Sequence, residues 1–148
     1  MKTVTQSKTL RIVGLELRTT NETAFKDIPA HWQRFYQDGI LEKIPNKVSA
    51  DVYAVYTNFE NPGKNNLGTY SLILGAEVPG QGPVPPGLVA AVVPQSKRQV
   101  FEVAKGHPEK VGEKWQEIWA LGSEGKAYLA DFEHYTPSGE IAIHVGVV

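Results

Sequence analysis

The chain reads as two copies of one unit, and this limits the possible folds more than any single motif does. In "IPAHWQRFY" the apolar residues Ile28, Trp32, Phe35 and Tyr36 fall at i, i+4, i+7 and i+8, one stripe of a helix. In "VGEKWQEIW" Val111, Trp115, Ile118 and Trp119 repeat that spacing, and Trp32-Gln33 is matched by Trp115-Gln116. The first helix is expected within Asn21 to Ile40, with Pro29 in its first turn and Gly39 at its end. The second is expected within His107 to Gly122, with Pro108 near its start and Gly122 closing it.

Strand-like stretches flank both helices. Lys8 to Thr20 precedes the first, and Asp51 to Glu60 and Thr69 to Val78 follow it as a hairpin around "NPGKNNLG". "LVAAVVPQSKRQVFEVAKG" gives two strands about a turn near Gln95 to Lys97. "KAYLADFEHY" and "EIAIHVGVV" form a last hairpin around "TPSG". Phe59-Glu60 is matched to Phe132-Glu133, and Gly75 to Gly146. The expected fold is α+β: one domain over 1–148 made of two pseudo-two-fold-related strand–helix–strand–strand repeats, at about 8–78 and 88–148. A stiff Pro/Gly-rich connector over 79–87 joins them. Strands of both repeats would share antiparallel sheets, and the two helices would flank a central cleft.

Composition narrows the function. Fifteen basic and 16 acidic residues leave a net charge of −1, with no local block of Lys and Arg, so direct nucleic-acid binding is not expected. Cysteine is absent, which excludes thiol catalysis and cysteine-held zinc and fits a cytoplasmic protein. The N-terminus lacks the apolar run of a signal peptide, and no stretch is long enough to span a membrane. The four histidines show no metal-binding spacing, with His31 and His107 read as helix starts and His134 and His144 as neighbours on the last hairpin. Neither a phosphate-binding loop nor a nucleophile-elbow motif is present, and no cofactor is expected.

Together, "IPAHWQRF", "VYAVYTNFE", "GTYSLILGAEV" and "ADFEHY" resemble the gyrase-inhibitor-like small-molecule-binding domain, the effector-binding domain of many AraC-type and MerR-type multidrug-responsive regulators. The resemblance runs from about Leu10 to Val148. It implies two pseudo-symmetric strand–helix–strand–strand repeats and a central cleft for hydrophobic, often cationic, compounds. It also implies an anionic site at a glutamate followed two residues later by an aromatic, the pattern of Glu133 and Tyr135. The helix-turn-helix of the regulators has no counterpart along this sequence. The reading is therefore a stand-alone binding domain, similar to those encoded in mobile integron cassettes.

Strand alternation puts Leu129, Asp131, Glu133 and Tyr135 on one face and Tyr128, Ala130, Phe132 and His134 on the other. Alternation alone does not say which face lines the cleft; the resemblance implies that of Glu133. A carboxylate there is costly to desolvate without a partner, and an organic cation supplies one. Aromatic faces add cation–π attraction. Trp32 and Trp115 are the leading aromatic candidates, with core packing as the competing reading. Tyr56, Tyr36, Trp119 and Tyr135 complete the ligand-binding set. Phe35, Tyr36 and Trp119, one helical turn further along, are read as nearer to core, and Tyr70 as a weaker candidate. Glu60 is expected to be solvated beside its turn.

The leading function is binding of hydrophobic, cationic aromatic small molecules, for sensing or sequestration, with a separate regulator protein or a homodimer as possible partner. Two alternatives stay open: a small hydrolase with Glu133 as general base, and an interaction module acting on a macromolecular target.

Overall fold

The computed structural model describes residues 1–80 and 82–148. It contains strands β1 (Lys2–Gln6), β2 (Leu10–Thr20), β3 (Val52–Thr57), β4 (Thr69–Glu77), β5 (Val89–Val93), β6 (Ser96–Val103), β7 (Ala130–Tyr135) and β8 (Ile141–Val147). The helices are α1 (Ala24–Gln37), the single turn α2 (Ile40–Lys43) and α3 (Val111–Ala120), which a 3₁₀ turn at Pro108–Lys110 introduces. None of the described helices is long and apolar enough to cross a membrane. The expected connector over 79–87 contains Gln81, which lies outside the described residues.

All eight strands form one antiparallel sheet in the order β1-β6-β8-β7-β3-β4-β2-β5. Strands of both repeats therefore share one antiparallel sheet, as expected. The first half gains one strand beyond the expected unit, because the polar alternating "KTVTQ" pairs as an edge strand with β6; two strands thus precede each helix, as expected for the second. The order is symmetric about the β7–β3 junction, but the outermost strands are exchanged. β1 of the first half pairs with β6 of the second, and β5 of the second pairs with β2 of the first.

The helices lie on one face. α1 and α2 bring Phe35, Ile40 and Ile44 against Val13, Val52, Ala54, Leu72, Leu74 and Ala76. α3 brings Val111 and Ile118 against Phe101, Val103, Ile141, Ile143 and Val145. Fully burying each such aliphatic or aromatic side chain contributes about 1.5–3 kcal/mol. On the opposite face the sheet curls onto itself: Ala91 and Val93 of the outermost strand share a core with Ala130 and Phe132 of central β7. This second core explains why β3 and β4 read as apolar runs rather than alternating ones, since both of their faces are covered. The two sheet edges meet through Gln6 Nε2 donating to the Val93 carbonyl (3.3 Å) and Gln95 Nε2 to that of Ser7 (2.6 Å). Arg98, 1% exposed, closes this seam. Its guanidinium donates to Gln6 Oε1 (2.8 Å), to the Pro94 carbonyl (3.2 Å) and to the Ala130 carbonyl, and lies over the Phe132 ring.

Where β2 crosses β4, Gly14 and Gly75 face each other. A Cβ on Gly14 would stand 2.1 Å from the Leu74 carbonyl oxygen, and one on Gly75 1.9 Å from that of Val13. The two strands can approach this closely only as glycines.

Local details revise several expectations. α1 starts earlier than its apolar stripe suggests, so Pro29 lies inside the helix rather than in its first turn. Gly39 ends it as expected, in the left-handed conformation at φ 59°. The β5–β6 turn is Pro94-Gln95, one register earlier than expected, with β6 beginning at Ser96. His31 is not at a helix start: it is mid-helix and fully buried, with Nε2 between the carbonyl oxygens of Leu15 (3.0 Å) and Leu72 (3.1 Å). It fastens α1 to the sheet, and burial pulls its pKa down, keeping the ring neutral.

Candidate ligand-binding site

The site forms where the pseudo-symmetric halves meet. In the β3–β7 ladder Ala54 pairs with Glu133, Val52 with Tyr135 and Tyr56 with Asp131. Period-two alternation turns Asp131, Glu133 and Tyr135 toward the helices, together with Val52, Ala54 and Tyr56. The expected match of Phe59-Glu60 to Phe132-Glu133 is therefore wrong in register. β3 ends at Thr57, Asn58 turns left-handed at φ 53°, and exposed Glu60 accepts from the Thr69 amide (3.1 Å) in the turn beyond. The residue facing Glu133 is Ala54. Likewise Gly75 pairs with Tyr53, whereas His144, not Gly146, pairs with Phe132.

Glu133 is 2% exposed. Its Oε2 accepts hydrogen bonds from the Tyr56 hydroxyl (2.7 Å) and Trp115 Nε1 (2.7 Å), and its Oε1 accepts from the Tyr135 hydroxyl (2.6 Å). All three donors are neutral. Among the described residues the one Lys or Arg ion pair lies elsewhere, at Lys114–Glu117, and His107 and His134 contact Glu109 and Asp51. Burial pushes the Glu133 pKa up and the three hydrogen bonds pull it back; burial wins. Burial also raises both tyrosines, and the nearby carboxylate raises them further, so they remain protonated donors.

Two aromatic walls rise from this floor, related by the pseudo-two-fold. Tyr135, two residues beyond Glu133, meets Trp32 edge-on (5.3 Å, 75°), and Trp32 stacks on Tyr36 (6.0 Å, 21°). Tyr56, two residues beyond Ala54, meets Trp115 edge-on (5.2 Å, 69°), and Trp115 lies against Trp119 (6.1 Å, 33°). A cavity of about 1080 Å³ lies between the walls. The symmetry is broken at its centre, where one half supplies a carboxylate and the other a methyl group.

All seven expected ligand-binding residues (Glu133, Trp32, Trp115, Tyr56, Trp119, Tyr36 and Tyr135) line this cavity. Tyr36 and Trp119 are not core: they are 65% and 47% exposed and form its mouth, because α1 and α3 bury only their sheet-facing sides. Phe35 is core, as expected. Sequence reasoning undervalued Tyr70, 3% exposed and lining the cavity, and placed Tyr128 on the wrong face. β7 begins only at Ala130, and Tyr128 before it is left-handed at φ 52°, which turns its ring into the cavity and leaves Leu129 exposed. Asp131, buried on the Glu133 face, also lines the cavity and was not selected. His134 and His144 do approach each other (6.4 Å between rings), but on the face away from the cleft.

The chain is a member of the integron-associated effector binding protein family, Cass2, whose family model matches residues 3–147. Among curated protein sequences none matches significantly. The fold is shared with the integron cassette protein VCH_CASS2 from the mobile metagenome of Vibrio cholerae (TM-score 0.79, 23% identity, 99% of this chain and 95% of that one). It is shared too with SAV2435, solved bound to tetraphenylphosphonium (TM-score 0.79, 18% identity, 99% and 93%). A Staphylococcus aureus MU50 protein gives a TM-score of 0.76 at 19% identity, covering 99% and 98%.

Proposed function

We propose that this protein binds lipophilic aromatic cations in the central cleft, with Glu133 carrying the countercharge, for sensing or sequestering such compounds. The observation that carries this reading is a carboxylate 2% exposed, held by three neutral donors and facing no described cation. Leaving a charge desolvated and unpaired costs several kcal/mol. A bound cation offsets that cost, while the two aromatic walls supply area and cation–π attraction of about 0.5–2 kcal/mol per ring. Tetraphenylphosphonium in the similarly folded SAV2435 is a ligand of this type. The donors also occupy three of the roughly four acceptor positions of the carboxylate, which suits holding a charge better than moving a proton.

All three tryptophans line the cavity, so their fluorescence reports its occupancy. Titration with tetraphenylphosphonium should give saturable quenching, weakened tenfold or more, about 1.4 kcal/mol, by Glu133→Gln. Equal affinity in both proteins removes Glu133 from the mechanism. Turnover of a small strained substrate, lost in Glu133→Gln, would favour a hydrolase instead.

A further inference from the structure

The molecule buries two acids, Glu133 at 2% exposure and Asp131 at 7%, and both line the same cavity from the same face of β7. Their surroundings differ. Glu133 has donors on both oxygens. Asp131 Oδ1 accepts the Gly146 amide hydrogen (2.8 Å), and no described donor reaches Oδ2. Every described side-chain polar atom fully shut off from the surface has a partner, so the unpartnered Oδ2 keeps some accessible surface, on a residue that lines the cavity. Lys126 and Arg98 lie near enough to favour the ionised form of Asp131, but their hydrogen bonds go to other groups. Lys126 Nζ donates to the Ile118 carbonyl (2.7 Å), and Arg98 is spent on the seam; neither forms an ion pair with Asp131. Burial pushes the Asp131 pKa up to about 6, which leaves it mostly ionised at neutral pH.

We propose that Asp131 is a second anionic subsite, which accepts a hydrogen bond from an N–H group of the ligand while Glu133 balances the ligand's charge. The two subsites divide the work. Glu133, already saturated with donors, acts through its field and needs no N–H. Asp131 offers one directional acceptor, about 7 Å away along the strand, from the rise of two residues. The favoured class is then a flat aromatic cation with an amino or amidine substituent about that far from its charged centre. This rests on the cation-binding reading above.

The test is a matched ligand pair: an N-alkyl phenanthridinium with exocyclic amino groups and the same cation without them. Both are titrated by calorimetry into wild type, Asp131→Asn and Glu133→Gln. Asparagine keeps an oxygen for Gly146 but presents an NH₂ to the cavity. The amino ligand should bind wild type at least fivefold tighter than its partner. That ratio should fall to about one in Asp131→Asn and persist in Glu133→Gln, where both ligands weaken. Equal affinities in wild type, or an unchanged ratio in Asp131→Asn, overturn the subsite while leaving the cation reading intact. Failure of both ligands to bind wild type overturns both. Should Asp131→Asn fail to fold, Asp131→Ser replaces it with the same fall in the ratio expected.

Discussion

Ala54 stands directly across the central ladder from Glu133, on the same face and with no exposure. Its methyl group is small enough to leave room for the carboxylate and its three donors. Ala54→Leu would fill the floor of the cleft. It should weaken tetraphenylphosphonium binding at least tenfold and cost about 1–3 kcal/mol of stability through overpacking. Unchanged affinity in a fluorescence titration would show that ligand sits nearer the mouth, against Tyr36 and Trp119.

The walls are equivalent in shape but not in bonding, since only Trp115 donates to Glu133. Trp115→Phe should therefore weaken cation binding more than Trp32→Phe, although both keep an aromatic ring. A hydrogen bond to a charged group contributes about 1.5–3 kcal/mol. Matching losses from the two variants would mean that the walls act by ring area alone.

Proton linkage gives a third expectation. Burial raises the Glu133 pKa in the free protein, so the carboxyl holds its proton to higher pH than an exposed glutamate. A bound cation favours the ionised form and lowers that pKa. Binding must then release a proton below the free-state pKa, and affinity for a permanently charged cation should rise with pH and level off above it. Titrations from pH 5 to 8 check this; Glu133→Gln should reduce the pH dependence, leaving the part due to Asp131, whose pKa is raised to about 6. A wild-type profile already flat would place the ionisation outside the binding step.

Gly75→Ala tests the crossing of β2 and β4. Its Cβ would lie 1.9 Å from the Val13 carbonyl oxygen, and backbone must move to admit it. Destabilisation above about 4 kcal/mol is expected, the range reserved for backbone strain and core disruption. Urea unfolding measures it. Gly63→Ala is the control, because a Cβ there meets nothing within 4 Å; its φ of 79° limits the cost to local strain.

Much of the site was legible because it is written in periodic elements. The i, i+4 stripes of the helices carried Trp32 with Tyr36 and Trp115 with Trp119, and strand alternation grouped Asp131, Glu133 and Tyr135. The register between repeats was not legible. Phe59-Glu60 imitates Phe132-Glu133 in letters, but only the ladder shows that Asn58 turns the chain away first. Tyr128 was misplaced for the same reason: one left-handed residue before a strand reverses every face assigned by counting back from it. The edge pairing of β1 had no local sign, because it depends on β6, far along the chain.

The exchange of outer strands bears on how the molecule assembles in time. β1 pairs only with β6, and β5 is the outer neighbour of β2. The central ladder joins β3 to β7, so the floor of the cleft requires residues from both halves at once. Contacts so distant along a chain carry a loop-closure cost before they return any stability, which slows folding. During synthesis the first half would wait with two unfinished margins until the second emerged. The pocket thus requires both halves of the chain, and its appearance reports that β3 and β7 have paired.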